Sequence, residues 1–223
     1  MIRAVVIDVD DTLCMTEAVC FEIENEALVR MGRPAMSREI HLETWGHPLA
    51  EAIKDRSPGV DVEQFIRAIT PVIQEYDAAG KFLDIPEANY QAMDDLIAAG
   101  KQIMLLSSRT RSEMAGLLSP DHPIASRISA AYYHENTKVL KPDPHVFDPL
   151  LREYGYQPAE VVYIGDSVTD GHAANGADIH FIVSLESALR SRDAFEAAGV
   201  FVTAYIDALS HMVPIIKKLD KQY

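Results

Sequence analysis

The chain has 223 residues, 48% hydrophobic and 8% aromatic, enough for one core domain or a core with a smaller partner. Its formal charge of −14 and pI near 4.9 exclude the broad basic surface a nucleic-acid binder needs. They leave room for a small phosphorylated metabolite, because a metal ion and a few placed cations reverse the field locally. No apolar run approaches the roughly 20 residues of a membrane helix, and Met1-Ile2-Arg3 does not open a signal peptide. Cys14 and Cys20 fit neither a disulfide framework nor a zinc site. A cytoplasmic protein with free thiols and no membrane partner is expected; no oligomeric state follows.

Residues 2–9 form a Val- and Ile-rich run interrupted only by Arg3 and Asp8, the pattern of a strand buried on both faces of a parallel sheet. Residues 14–82 then contain no convincing strand. Their apolar positions recur at helical spacing, as in Ile23, Ala27 and Met31 and again in Phe65, Ile69, Val72 and Ile73. Breaks at Gly32-Arg33-Pro34, Gly46-His47-Pro48 and Ser57-Pro58-Gly59 divide this stretch into short helices. A helix over 87–99, stopped by Gly100, leads to a strand at 103–106. A weaker strand at 129–133 and a helix over 143–154, stopped by Gly155, follow. Two more strands, 161–164 and 180–183, complete the alternation. The expected fold is therefore α/β: a doubly wound parallel sheet in residues 1–13 and 83–223, with a small all-helical domain inserted at 14–82.

Four short stretches at strand ends carry the chemistry. Asp8-Val9-Asp10-Asp11-Thr12 follows the first strand, and alternation points Asp8 and Asp10 the same way, where one cation would relieve their repulsion. Ser107-Ser108 ends the second strand, where a hydroxyl can donate to a phosphate oxygen or serve only as a turn. Lys141 sits in Lys-Pro-Asp-Pro, its ammonium suited to carboxylate and phosphoryl oxygens alike. Gly165-Asp166-Ser167-Val168-Thr169-Asp170 supplies two more carboxylates after a further strand. Magnesium takes one or two carboxylates with waters and substrate phosphate, and Asp8 with Asp166 could provide them. Any one stretch alone could be an acidic or surface turn; all four in this order argue for one site.

The order Asp-x-Asp-x-Thr, Ser, Lys-Pro, Gly-Asp-Ser-x-x-Asp resembles the four motifs of haloacid dehalogenase-like hydrolases, in particular the helical-cap group of phosphoglycolate phosphatase-like and beta-phosphoglucomutase-like enzymes. The likeness extends through Lys141-Pro-Asp-Pro-His-Val-Phe147 and Val162–Gly176. It implies a Mg2+-dependent phosphomonoester hydrolase with a Rossmann-like core and a cap. In that reading Asp8 attacks phosphorus, Asp10 is acid and then base, and Ser107 and Lys141 hold the phosphoryl oxygens. Magnesium would be held by Asp8, the backbone carbonyl of Asp10, Asp166 and Asp170. Trp45, Gly46 and His47 fall where such proteins place a substrate-facing cap loop; they, Ser108 and Arg109 are the expected substrate contacts. Lys54, Arg56 or Arg109 would meet a second anionic group.

The resemblance also admits a sugar phosphomutase or a phosphonate-cleaving enzyme. Met15 and Cys20 replace the Asp and His of the mutase branch, and Asp10 distinguishes the chain from dehalogenases and phosphonate cleavers. A non-catalytic phospho-ligand binding protein would be expected to have lost Asp8, Asp10 or Lys141, all of which are present.

Overall fold

The computed structural model describes residues 1–45 and 49–221. In chain order it contains β1 (Ala4–Ile7), α1 (Thr16–Arg30), α2 (Arg38–Glu43), α3 (Leu49–Arg56), α4 (Val62–Ala78), α5 (Glu87–Ala98), β2 (Gln102–Leu106), α6 (Arg111–Met114) and β3 (Ile128–Tyr132). There follow α7 (Asp148–Tyr154), β4 (Val161–Gly165), α8 (Val168–Gly176), β5 (His180–Ser184), α9 (Arg192–Ala197), β6 (Ala204–Ile206) and α10 (Met212–Asp220). The chain divides into two compact units, residues 1–14 with 85–223, and residues 15–84.

The first unit is a six-stranded sheet in the order β3-β2-β1-β4-β5-β6, parallel throughout. This is the doubly wound α/β architecture with a Rossmann-like strand order. Both faces are buried along the four inner strands β2, β1, β4 and β5, which is why these read as unbroken apolar runs. On one face Ala4, Val6, Met104, Leu106, Val161, Tyr163, Phe181 and Val183 join a core completed by Phe147, Leu150 and Phe195. The alternate residues Val5, Ile7, Ile103, Leu105, Val162, Ile164 and Ile182 are equally buried. In register, Ile7 lies between Leu105 of β2 and Ile164 of β4. The residues that follow these strands therefore emerge side by side. The direction of winding reverses beside β1, and such a switch point leaves a crevice at the carboxyl ends of the strands.

Two details differ from the sequence reading. The expected helix over 143–154 is broken: Pro144–Phe147 is a 3-10 turn, and α7 starts only at Asp148. Proline at 142, 144 and 149 withholds the amides that a continuous first turn would use. Strand β6 is an addition to the expected elements, and its three residues are too short for an alternation signal.

In the second unit the four helices α1 to α4 enclose Ile23, Ala27, Leu28, Met36, Ile53, Phe65, Ile69 and Val72. No strand occurs among its described residues. Ser37 caps α2 by accepting from the Ile40 amide, and Asp61 caps α4 by accepting from that of Gln64. Polar groups are buried here too. The Arg56 guanidinium holds both oxygens of Glu24 at 2.7 Å and donates to the Thr44 hydroxyl at 2.8 Å. His41, fully buried, lies 2.7 Å from Glu17 through Nδ1 and 3.4 Å from Glu24 through Nε2. Arg56, expected as a candidate for a second anionic group, is therefore an internal counter-ion whose donors are turned to Glu24 and Thr44.

Candidate active site

Each motif emerges from its own strand at the carboxyl edge of the sheet. Asp8 directly follows β1, its amide still bonded to the carbonyl of Ile164 at 2.9 Å. Ser107 follows β2, and its amide reaches the Tyr132 carbonyl at 2.9 Å. Gly165 ends β4, and a Cβ there would lie 2.7 to 2.8 Å from the Cβ and carboxyl atoms of Asp170. Only glycine lets the chain turn that closely against this carboxylate. Ser167 then caps α8: its hydroxyl accepts from the Asp170 amide at 3.1 Å, and its own amide and hydroxyl donate to Asp170 Oδ2 at 3.0 and 2.5 Å. A helix cap thus fixes a site carboxylate.

Asp8, Asp166 and Asp170 are all buried, and each offers a carboxylate oxygen within 4.8 Å of the others. Lys141, brought in by the loop after β3, places its ammonium 2.8 Å from Asp8 and 2.6 Å from Asp170. Arg190 Nη1 lies 2.9 Å from Asp166. Three buried carboxylates with two cations leave one negative charge uncompensated inside the protein.

The titration behaviour follows from that geometry. Burial raises the Asp8 pKa well above the usual carboxylate range; Lys141 opposes the rise and Asp170 and Asp166 add to it. Asp166 is pushed up to about 7 by burial and the charge of Asp170, against the pull of Arg190. Burial also disfavours a charged Asp170, but Lys141 and the Ser167 cap outweigh it and hold Asp170 below its usual value. Asp170 keeps its charge while Asp8 and Asp166 take up protons first. A dication would lower both values at once, so the donor set fits a hard, oxygen-seeking ion of the magnesium class.

Asp10 does not share this cluster with its side chain. The strand ends at Ile7, so the alternation expected to align Asp8 with Asp10 does not continue through them. The Asp10 carboxylate instead receives Arg109 Nε at 3.2 and 3.0 Å and Nη2 at 2.7 Å. Arg109, expected at a substrate, is here the partner of Asp10. Ser107 is buried with its hydroxyl accepting from the Arg109 amide at 3.2 Å, whereas Ser108 is exposed. In the helical unit the Trp45 ring sits 5.3 Å from that of His41, and Lys54 is exposed. Gly46 and His47 lie outside the described residues.

Two groups at this site lie outside the four short stretches, although Tyr163 falls within the longer Val162–Gly176 likeness. Arg190 lies in the segment after β5, on the same edge of the sheet, and that position is its one signal in the sequence. Tyr163, in β4, is fully buried with its hydroxyl between Lys141 and Asp170.

Comparison with known proteins bears on the fold and the family. A glyceraldehyde 3-phosphate phosphatase from Methanopyrus kandleri is 25% identical over 197 residues, covering 79% of this chain and 81% of that protein. The fold is similar to that of a candidate beta-phosphoglucomutase from Thermotoga maritima (TM-score 0.80, 20% identity, 97% of this chain and 99% of that one). It is also similar to CbbY from Rhodobacter sphaeroides, solved in complex with phosphate (TM-score 0.69, 21% identity, 95% and 96%). The model of the haloacid dehalogenase-like hydrolases, enzymes that typically use Mg2+, matches residues 5–184, and the chain belongs to that family.

Proposed function

We propose that this chain is a magnesium-dependent phosphomonoesterase that hydrolyses a small phosphorylated metabolite through an aspartyl-phosphate on Asp8. The observation that carries this reading is the buried group of Asp8, Asp166 and Asp170 around the Lys141 ammonium. Asp8, Asp166 and Asp170, with the backbone carbonyl of Asp10, would hold magnesium, whose positive charge would keep Asp8 ionised and offset the charge on a phosphoryl group.

Asp8 attacks phosphorus, forming the Asp8–phosphorus bond as the ester oxygen–phosphorus bond breaks. Asp10 gives its proton to the departing alcohol oxygen and is left as a carboxylate. Water then attacks phosphorus, Asp10 takes the water proton, and the Asp8–phosphorus bond breaks to release phosphate. Lys141 and Ser107 position the phosphoryl oxygens. Arg109 grips both Asp10 oxygens in a fixed fork, which holds Asp10 in the carboxylate form that follows proton transfer to the alcohol and accepts the proton of the attacking water.

The helical unit of residues 15–84 would act as the cap that selects the leaving group, with Trp45, Gly46 and His47 as its candidate substrate contacts. The name of the Methanopyrus kandleri relative supports a small sugar-type phosphate. We place the protein in the cytoplasm, in keeping with Cys14 and Cys20 forming no disulfide; no helix among the described residues is long and apolar enough to cross a membrane. The test is phosphate release from phosphorylated sugars, nucleotides, phosphoglycolate and p-nitrophenyl phosphate, with magnesium and with EDTA. Magnesium-dependent release from at least one ester is expected; release from none by folded, magnesium-loaded protein would overturn the proposal.

A further inference from the structure

Lys141 carries three N–H donors and no acceptor. Each donor has a partner: Asp8 Oδ1 at 2.8 Å, Asp170 Oδ1 at 2.6 Å and the Tyr163 hydroxyl oxygen at 3.0 Å. That accounts for the whole ammonium. Tyr163 has a single proton to give. Asp170 Oδ1 at 2.9 Å is a better acceptor for it than the Leu106 carbonyl at 3.4 Å. The hydroxyl thus accepts from Lys141 and donates to the same Asp170 oxygen that Lys141 also holds. Two hydrogen bonds and the Lys141–Asp170 ion pair close a three-membered ring, with Tyr163 fully buried and the Lys141 side chain nearly so.

The geometry points to Tyr163 as a positioning residue for Lys141. Its hydroxyl and Asp170 occupy two of the three donors, so the one turned toward Asp8 is left to exchange onto the phosphoryl group that Asp8 receives. This rests on the phosphatase reading above and adds a residue to it. Without the hydroxyl, one N–H of a buried ammonium loses its acceptor, and the ammonium regains freedom to turn away from the reacting atoms.

Nothing else in the fold requires a hydroxyl at this position. The Tyr163 ring belongs to the core, packing edge-on against Phe147 with centroids 5.1 Å apart, and phenylalanine would satisfy that packing. A hydroxyl buried in an apolar cluster is costly unless bonded, and its partners here are two groups of the site and one carbonyl of a strand end.

The experiment compares wild type, Tyr163→Phe and Phe147→Leu, the last as a packing control that leaves the hydroxyl in place. The first readout is the NMR signal of the Lys141 ammonium in metal-free protein, identified by its loss in Lys141→Met. Slow proton exchange at this ammonium is expected in wild type and Phe147→Leu, and exchange at least about tenfold faster in Tyr163→Phe. The second is turnover: kcat and kcat/KM should fall together by about tenfold or more in Tyr163→Phe, and by less than about twofold in Phe147→Leu. Absence of a slowly exchanging Lys141 signal in wild type would overturn the inference without any variant needing to fold. So would Tyr163→Phe turnover within twofold of wild type, or an equal loss in Phe147→Leu. Should wild type hydrolyse no ester, the phosphatase reading fails, and the exchange measurement still decides whether Tyr163 fixes Lys141.

Discussion

Replacing Asp166 with asparagine should make the metal-free protein more stable while removing its response to magnesium. Asp166 is buried beside Asp170, and its carboxyl is pushed from 3.8 up to about 7. A carboxyl whose pKa rises on folding binds its proton more tightly in the folded state. Its contribution to stability is whole below the unfolded value and is lost as pH rises through the folded one. A rise of that size corresponds to about 4 kcal/mol once Asp166 is fully ionised, and to less than about 2 kcal/mol at pH 5. Asparagine keeps the shape and discards the charge, but leaves Arg190 without its carboxylate, which returns about 1 to 2 kcal/mol of that gain. In EDTA at pH 8, urea unfolding followed by circular dichroism should therefore show Asp166→Asn about 2 to 3 kcal/mol above wild type, the gap narrowing toward pH 5. Magnesium at 1,000 times its dissociation constant should reverse the order, since it adds about 4.1 kcal/mol to wild type alone. A variant less stable than wild type in EDTA at pH 8 would refute the claim that these carboxylates are held together against their own repulsion.

Three further changes probe separate parts of the account. Arg109→Ala should lower kcat/KM by about tenfold or more, with Arg109→Lys recovering only part of it because an ammonium cannot grip both Asp10 oxygens; an alanine variant within twofold of wild type would remove Arg109 from the site. Gly165→Ala should cost about 1 to 3 kcal/mol in thermal unfolding and weaken magnesium binding by calorimetry, since its methyl would overlap the Asp170 carboxyl. Unchanged metal affinity would show that Asp170 tolerates displacement. Arg56→Ala should destabilise the helical unit by about 3 to 5 kcal/mol in urea, because Glu24 is then left buried and unpaired. A loss below about 1 kcal/mol would mean water reaches that pair.

Much of the fold is readable in the sequence because a parallel sheet covered on both faces must be apolar at every position. Residues 2–9, 103–106, 161–164 and 180–183 show this without ambiguity: β1 lies within the first, and β2, β4 and β5 each extend one residue beyond theirs. The motifs are legible for a related reason: polar residues that interrupt such runs at their carboxyl ends must emerge on one edge of the sheet. Asp8, Ser107 and Asp166 do so. What a linear pattern does not supply is pairing across distance. Arg56 reads as a surface cation in Lys-Asp-Arg-Ser, and only the packing of α1 against the other helices brings Glu24 to it. The Asp10–Arg109 pair depends on the strand ending at Ile7, before alternation can align Asp8 with Asp10. Tyr163 carries the right parity for the core, and its hydroxyl has no pattern of its own in a run of Val and Ile.

The central claim is that Asp8 is the nucleophile of a magnesium-dependent phosphatase. It is tested most directly by phosphate release from the best ester of the panel, with magnesium and with EDTA, for wild type and Asp8→Asn. The account predicts release by wild type that EDTA abolishes, and none above background from a folded Asp8→Asn protein, since the amide cannot take the phosphoryl group. Magnesium-dependent release retained by Asp8→Asn would contradict it.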